Sequence, residues 1–240
     1  MKLLTDVHVH TVVSGHAYST FDENARWAKD NGIKVMGIAD HTDGIPGGAS
    51  YLHFINMKVL PREVYGVKIL RGMELNILDY NGSVDYGEEI LKRVDYTIAS
   101  YHPPCIEPTT DAKLATRGMI MAMENPYVTI IGHPGDNRYP LDYEEVVLAS
   151  KRTGTVLEVN NASLRSVSMR QGVRDSLIEI LKYCNKHDVP VMANTDAHLC
   201  YDVGKFDDTV KLFEEISFPE ELILNLYPDK VIELLSSTDK

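Results

Sequence analysis

Cysteine is scarce in this chain: Cys105, Cys184 and Cys200 stand far apart, odd in number and in no C-x-x-C pair. Such a set argues against a disulfide framework and against thiolate metal ligation, and predicts free thiols in a reducing, cytoplasmic compartment. Long apolar runs are lacking as well. No stretch approaches the ~18 unbroken apolar residues of a membrane span. The N-terminal Met1-Lys2-Leu3-Leu4-Thr5-Asp6 has no apolar region of signal-peptide length before the first strand-like run. Positive charge is in deficit: 24 Lys and Arg face 35 Asp and Glu, a formal net charge of −11. That balance argues against a general polyanion-binding surface, and so against a stable nucleic-acid partner. An anion would need cations gathered in one pocket.

What the chain does have is an alternation of short apolar runs with helix-period segments. Strands are predicted near 4–9, 34–40, 67–74, 94–101, 128–132, 155–160 and 189–195. Helices are predicted near 21–31, 50–64, 111–124, 142–152, 173–187, 207–216 and 228–236. Ser19-Thr20 and Asp142 supply start signals, Asn31-Gly32 and Gly154 stop signals. Asn76 to Tyr86, centred on Asn81-Gly82, reads as a hairpin excursion. The loop Thr42–Gly48 is Gly-rich but lacks the G-K-[ST] of a phosphate loop. With no repeat or linker, residues 1–240 read as a single domain. Seven strand–helix units fit an α/β barrel one unit short of the usual eight.

Histidine is where the chemistry gathers. Asp6-Val7-His8-Val9-His10 places two imidazoles on alternate positions of a strand, about 6–7 Å apart on one face. Asp196 and His198 repeat that spacing after the last strand. On the strand map, His41, Glu74, His102 and His133 fall at the ends of the second to fifth strands, and His16 on the loop leaving the first. Seven of nine histidines and two carboxylates thus meet at the face where parallel barrels carry their active sites. Imidazole and carboxylate without thiolate suit zinc, and also manganese or iron. Nine side chains exceed the about four to five ligands of one zinc, so two or three ions are expected, Glu74 bridging. Adjacent metals support hydrolysis by an activated water.

These stretches resemble the motifs of the PHP (polymerase and histidinol phosphatase) family: Asp6–His10 with Ser14–Thr20, Ile38–His41, Arg71–Glu74, Tyr101-His102, Ile131–Gly135 and Asn194–His198. The segments His16–Ser19 and His53–Met57 resemble its YcdX-type phosphatase branch. The resemblance implies a distorted seven-stranded (βα)7 TIM-like barrel with a trinuclear site, three Zn2+ per chain (Mn2+ or Fe at some positions). By position, His8, His10, Glu74 and Asp196 would hold the first ion. Glu74, His102 and His133 would hold the second, and His16, His41 and His198 the third. The implied activity is a phosphatase that cleaves a small phosphorylated substrate by a metal-bound hydroxide, with Glu74, Asp196 and His198 as catalytic side chains.

Other polar residues are weighed on their surroundings. Asp6 is expected to support a ligand, because alternation puts it on the face of His8; Asp40 is expected to do so less. Arg138, Arg170, Asn160 and Asn161 lie where they could meet substrate. His53 is near the mouth, and His187 reads as a helix-terminal cation. Two rival enzymes share the pattern. An amidohydrolase also starts with H-x-H but bridges its metals through a fourth-strand lysine, where this chain offers His102. A nuclease on short oligonucleotides is disfavoured by the acidic balance. A non-catalytic metal-binding module fits less well with a complete ligand set. A small phosphorylated substrate is the expected partner; no membrane is expected, and homo-oligomerisation is left open.

Overall fold

The computed structural model describes residues 1–236. Among them eight strands form: β1 (Thr5–Val9), β2 (Val35–Ile38), β3 (Glu63–Val64), β4 (Val67–Asn76), β5 (Tyr96–Ser100), β6 (Ile130–Ile131), β7 (Val156–Asn160) and β8 (Val191–Asn194). Seven run parallel in the order β1-β2-β4-β5-β6-β7-β8, a nearly closed barrel, and β3 pairs antiparallel with the start of β4. The helices are α1 (Phe21–Asp30), α2 (Tyr51–Asn56), α3 (Glu88–Leu91), α4 (Ala112–Met123), α5 (Tyr143–Thr153), α6 (Asn161–Leu164), α7 (Val173–Lys186), α8 (Asp207–Glu215) and α9 (Pro228–Ser236). No helix among the described residues is long and apolar enough to cross a membrane.

Local chemistry sets these bounds. Thr20 caps α1 reciprocally with Glu23, each side chain taking the other's backbone N–H, and Asp142 accepts from the Glu145 N–H to open α5. Gly154 ends α5 in the left-handed conformation. The helix expected over 50–64 is shorter than its apolar spacing suggests. It stops at Asn56, passes through one 3-10 turn, and gives way to β3. Pro61 has no N–H to continue a helix, and Tyr65 and Gly66, both at positive φ, make the tight reversal into β4. The hairpin expected at 76–86 is a turn closed by one antiparallel bridge, Ile77 to Val84.

Alternation along the strands divides the core in two. Val7, Val35, Leu70, Tyr96, Ile130, Val156 and Met192, one from each barrel strand, pack together with Leu224, Val231 and Leu235. Side chains from all seven strands can meet only inside the barrel, so α9 and the segment before it plug its N-terminal end. The larger cluster lies between strands and surrounding helices. Where the barrel closes, β1 and β8 bond directly only near the C-terminal ends, His10 N–H to Ala197 C=O at 2.9 Å. Lower down, the buried Asn225 amide stands in for a strand. It accepts from the Ala193 N–H at 2.7 Å and donates to the Ala193 and Thr5 carbonyls at 2.7 and 2.8 Å. The plug therefore leaves the opposite, C-terminal face as the open end.

Candidate metal centre

The strands deliver the polar side chains to that open face. His8 lies in β1 and His10 just past it; His41 follows β2, Glu74 lies in β4, and His102 and His133 stand two residues beyond β5 and β6. Asp196 and His198 follow β8. Glu74 is the hub. Its Oε1 lies 3.3 Å from His102 Nε2 and 3.2 Å from His133 Nε2. Its Oε2 lies 3.3 Å from His8 Nε2, 3.5 Å from His10 Nε2 and 2.8 Å from His41 Nδ1. Asp196 Oδ1 is 3.2 Å from His10 Nε2 and 3.5 Å from His198 Nδ1. At the rim, His198 Nε2 and the exposed His16 Nε2 are 2.9 Å apart.

Most of these approaches are close without being hydrogen bonds. His8 Nε2, His10 Nε2, His41 Nδ1, His102 Nε2 and Glu74 Oε2 are buried and lack any partner of proper geometry. Buried polar atoms are ordinarily satisfied, each orphan costing about 1–3 kcal/mol. Several orphans aimed at shared points describe a donor set for cations. Three overlapping triads have ligand atoms within 4.8 Å of one another: His8–His10–Glu74, His41–Glu74–His102 and His10–His41–His198. His41 therefore faces Glu74 as well as the rim pair with which the resemblance grouped it. His133 and Asp196 sit at positive φ, 33° and 54°, a conformation that costs energy in non-glycine residues and concentrates at functional sites.

Protonation suits the same role at His10 and His102. Burial, then the neighbouring His198 and His41, pushes His10 down to about 3. Burial pushes His102 down to about 4 against the pull of Glu74. These imidazoles are neutral near pH 7, the form that ligates. For Glu74, burial favours the neutral acid, but His41, His8 and His102 together outweigh it and hold the carboxyl well below its usual range. Asp196 is likewise held well below, burial being outweighed by His8, His10 and Arg170. For His8, burial opposes the proton, and Glu158, Glu74 and Asp196 reverse the balance and raise it well above its usual value.

A layer of supporting residues escaped the sequence reading. Glu158 takes His8 Nδ1 at 2.7 Å. Ser14 Oγ meets His10 Nδ1 at 3.0 Å and donates to Asp40 at 2.6 Å. Asn76 Oδ1 takes His102 Nδ1 at 2.6 Å, and its amide donates to Asp85 at 3.1 Å. Ser100 Oγ donates to Glu74 Oε1 at 2.8 Å. Such contacts fix ring orientation and raise ligand basicity. A signal existed for two of them: Glu158 and Asn76 stand two residues from Asn160 and Glu74 on the same strands. The expectations for Asp6 and Asp40 reverse. The β1 register shifts between Asp6 and Val9, so Asp6 turns to the Thr195 N–H and hydroxyl and the Gly204 N–H. Asp40 instead anchors Ser14 and Thr11, with His53 Nε2 at 3.4 Å.

A cleft of about 700 Å³ opens above the cluster, lined by His16, His41, His102, Asp196 and His198. Arg138 and Arg170 line it, as expected from their loops. Arg170 Nη1 meets Asp196 Oδ2 at 3.1 Å and Ser163 Oγ at 2.9 Å; Arg138 pairs with Asp136. The two asparagines do not line the cleft. Asn160 donates to Glu158 and Asp196 and caps α6. Asn161 is buried and accepts from the Thr209 N–H of α8. His187 ends α7 and contacts Glu144 at 2.8 Å, and His53 lies outside the cleft.

Comparison with known proteins identifies the family and the fold. A probable phosphatase of Caldanaerobacter subterraneus subsp. tengcongensis is 44% identical over 240 residues, covering all of this chain and 94% of the relative. One from Clostridium novyi is 42% identical over the whole chain and 97% of its own length. Among solved structures, histidinol phosphate phosphatase from Lactococcus lactis, complexed with zinc, L-histidinol and phosphate, superposes with a TM-score of 0.65 at 15% identity. It covers 91% of this chain and 95% of that one, which shows a shared fold. The PHP domain matches residues 6–162, well over half of the chain, and the chain belongs to the PHP family.

Proposed function

We propose that the chain is a metal-dependent phosphatase that hydrolyses a monoester of a small phosphorylated molecule, with three divalent ions at the open end of its barrel. The observation that carries this reading is the set of buried, orphaned imidazole and carboxylate atoms converging around Glu74. His8, His10, Glu74 and Asp196 would hold one ion; Glu74, His102 and His133 a second; His16, His41 and His198 a third. Zinc fits an all-imidazole and carboxylate set, and manganese or iron accept the same donors. When bound, the ions supply Lewis acidity toward phosphate oxygens and a water of lowered pKa.

The chain's own residues do the rest. Glu74 spans the cluster, each oxygen facing a different group of histidines. Asp196 faces the histidines with Oδ1 and holds Arg170 with Oδ2, which keeps a guanidinium at the edge where a phosphate dianion arrives. His198 lines the cleft beside His16. The names of the full-length relatives as probable phosphatases support the reaction class. The bridging position supports it over an amidohydrolase, since Glu74 rather than a lysine occupies the centre.

The deciding experiment pairs elemental analysis of purified protein with phosphate release from p-nitrophenyl phosphate. The expected result is two to three metals per chain and hydrolysis abolished by chelation and restored by metal. Metal-loaded protein that releases no phosphate with zinc, manganese or iron would overturn the proposal.

A further inference from the structure

The wall of the cleft differs in kind from its floor. The segment between α6 and α7 carries Val167 and Met169, 84% and 86% exposed, and both line the cleft. Monomeric surfaces do carry scattered apolar side chains, but two so exposed, on one loop and over one site, form a shelf. Pro103, Pro104, Tyr101 and Ile45 also line the cleft, adding apolar surface to the site that Val167 and Met169 border.

The carboxylates of that wall are committed to arginines. Arg165 grips Asp202 through both terminal nitrogens at 2.8 and 2.9 Å. Ser168 Oγ accepts from the Arg170 N–H at 3.2 Å. Among the described residues, Asp196 and Asp202 are the carboxylates lining the cleft, each paired with an arginine, and no Asn or Gln lines it. A site that selects a polyol places uncommitted carboxylates and carboxamides where they bond to hydroxyls, and a substrate lacking those hydroxyls would leave them unpaired. This wall offers none. It presents apolar area within a volume of about 700 Å³, the ordinary size of a small-molecule site.

We infer that the phosphorylated alcohol is a compact apolar or aromatic one rather than a sugar or other polyol, with Val167 and Met169 as the residues that select it. The inference rests on the phosphatase reading above. Phosphate would lie on the cluster beside Arg170, and the organic part would lie against the shelf, away from the ions.

The test compares 2-phenylethyl phosphate with glycerol 3-phosphate, two alkyl monoesters with leaving alcohols of similar acidity, on metal-loaded enzyme. The phenylethyl ester should show a kcat/KM at least about 10-fold higher, the scale on which a pocket discriminates by apolar contact. The double substitution Val167→Ser, Met169→Ser should bring the ratio near unity by raising KM for the phenylethyl ester. It should also weaken binding of 2-phenylethylphosphonate, read by calorimetry. Both changes are on exposed side chains and spare the core. Hydrolysis of both esters without preference, or a preference that survives the double substitution, overturns this inference alone. Metal-loaded protein that hydrolyses neither ester but does hydrolyse p-nitrophenyl phosphate also overturns this inference alone. Protein that hydrolyses none of the three overturns the phosphatase reading and this inference with it.

Discussion

At the scale of single residues, Glu158 is the most informative position outside the proposed ligands. It is fully buried in β7, takes His8 Nδ1 and accepts from Asn194, Asn160 and the His133 N–H. Glu158→Gln keeps the size but weakens the grip on the imidazole. The expected result is a loss of about 10–100-fold in affinity for one ion, the range seen when such a partner is removed. Chelator competition on the purified variant measures it; full metal content with unchanged affinity would show that His8 needs no such partner. The candidate ligands themselves were conspicuous in the sequence, as histidine, aspartate and glutamate at the ends of apolar runs. Of their supports, Glu158 and Asn76 were marked only by alternation with Asn160 and Glu74, and Ser14 and Ser100 look like ordinary loop or strand residues until the fold closes. Asp6 misled because a shift in register undoes alternation.

Protonation of single residues gives a second expectation, for the metal-free protein. His10 at about 3 and His102 at about 4 bind fewer protons when folded than at the ordinary value of 6.5. Stability rises with pH wherever the unfolded chain binds more protons. These two groups therefore withdraw stability as pH falls from 6.5 toward 4. Burial raises Asp6 to about 6 from 3.8; its sign is opposite and offsets one of them. His8, raised, changes the balance only above 6.5. His16 and His133, both lowered mainly by burial, add to the acid loss. The melting temperature of metal-free protein should fall across this window. A flat profile from 6.5 to 4 would contradict these assignments.

At the scale of elements, the barrel is legible and its joints are not. Each of the seven expected strands appears in the sheet, because short apolar runs bounded by turn residues leave few alternatives. The β3 hairpin was hidden inside a helix-like spacing that Pro61 and the Tyr65-Gly66 reversal override. The seam was hidden too, since nothing local marks Asn225 as a bridge between β1 and β8. Its amide meets the Ala193 N–H, the Ala193 carbonyl and the Thr5 carbonyl, all away from water. Asn225→Ala strands three buried backbone groups at about 1–3 kcal/mol each. A loss above about 3 kcal/mol, with little change in denaturant slope, is expected in urea unfolding. A loss under about 1 kcal/mol would mean that β1 and β8 can close without it.

At the scale of the whole molecule, the residues proposed for the chemistry also bear on how the barrel holds together. The proposed ligand set draws on the ends of six of the seven barrel strands, and Glu158 ties in the seventh, β7. Strand pairing is thin on one side: β6 has two residues, pairing only Ile98 and Ala99 on one flank and Val156 and Leu157 on the other. Ions held between His133, just past β6, and Glu74 of β4 would fasten this stretch to the well-paired half. Anything that binds only the folded state stabilises it by mass action, by about 4 kcal/mol per site at free metal 1,000 times Kd. For a chain of this size that is about 10 °C in melting temperature per ion. Chelation should therefore lower the melting temperature and zinc restore it. Amide exchange should locate the effect: residues 130–135 should slow on metal binding, while the plugged end around α9 should change little. Uniform protection would point to a global response, and no change at 130–135 would remove His133 from the ligand set.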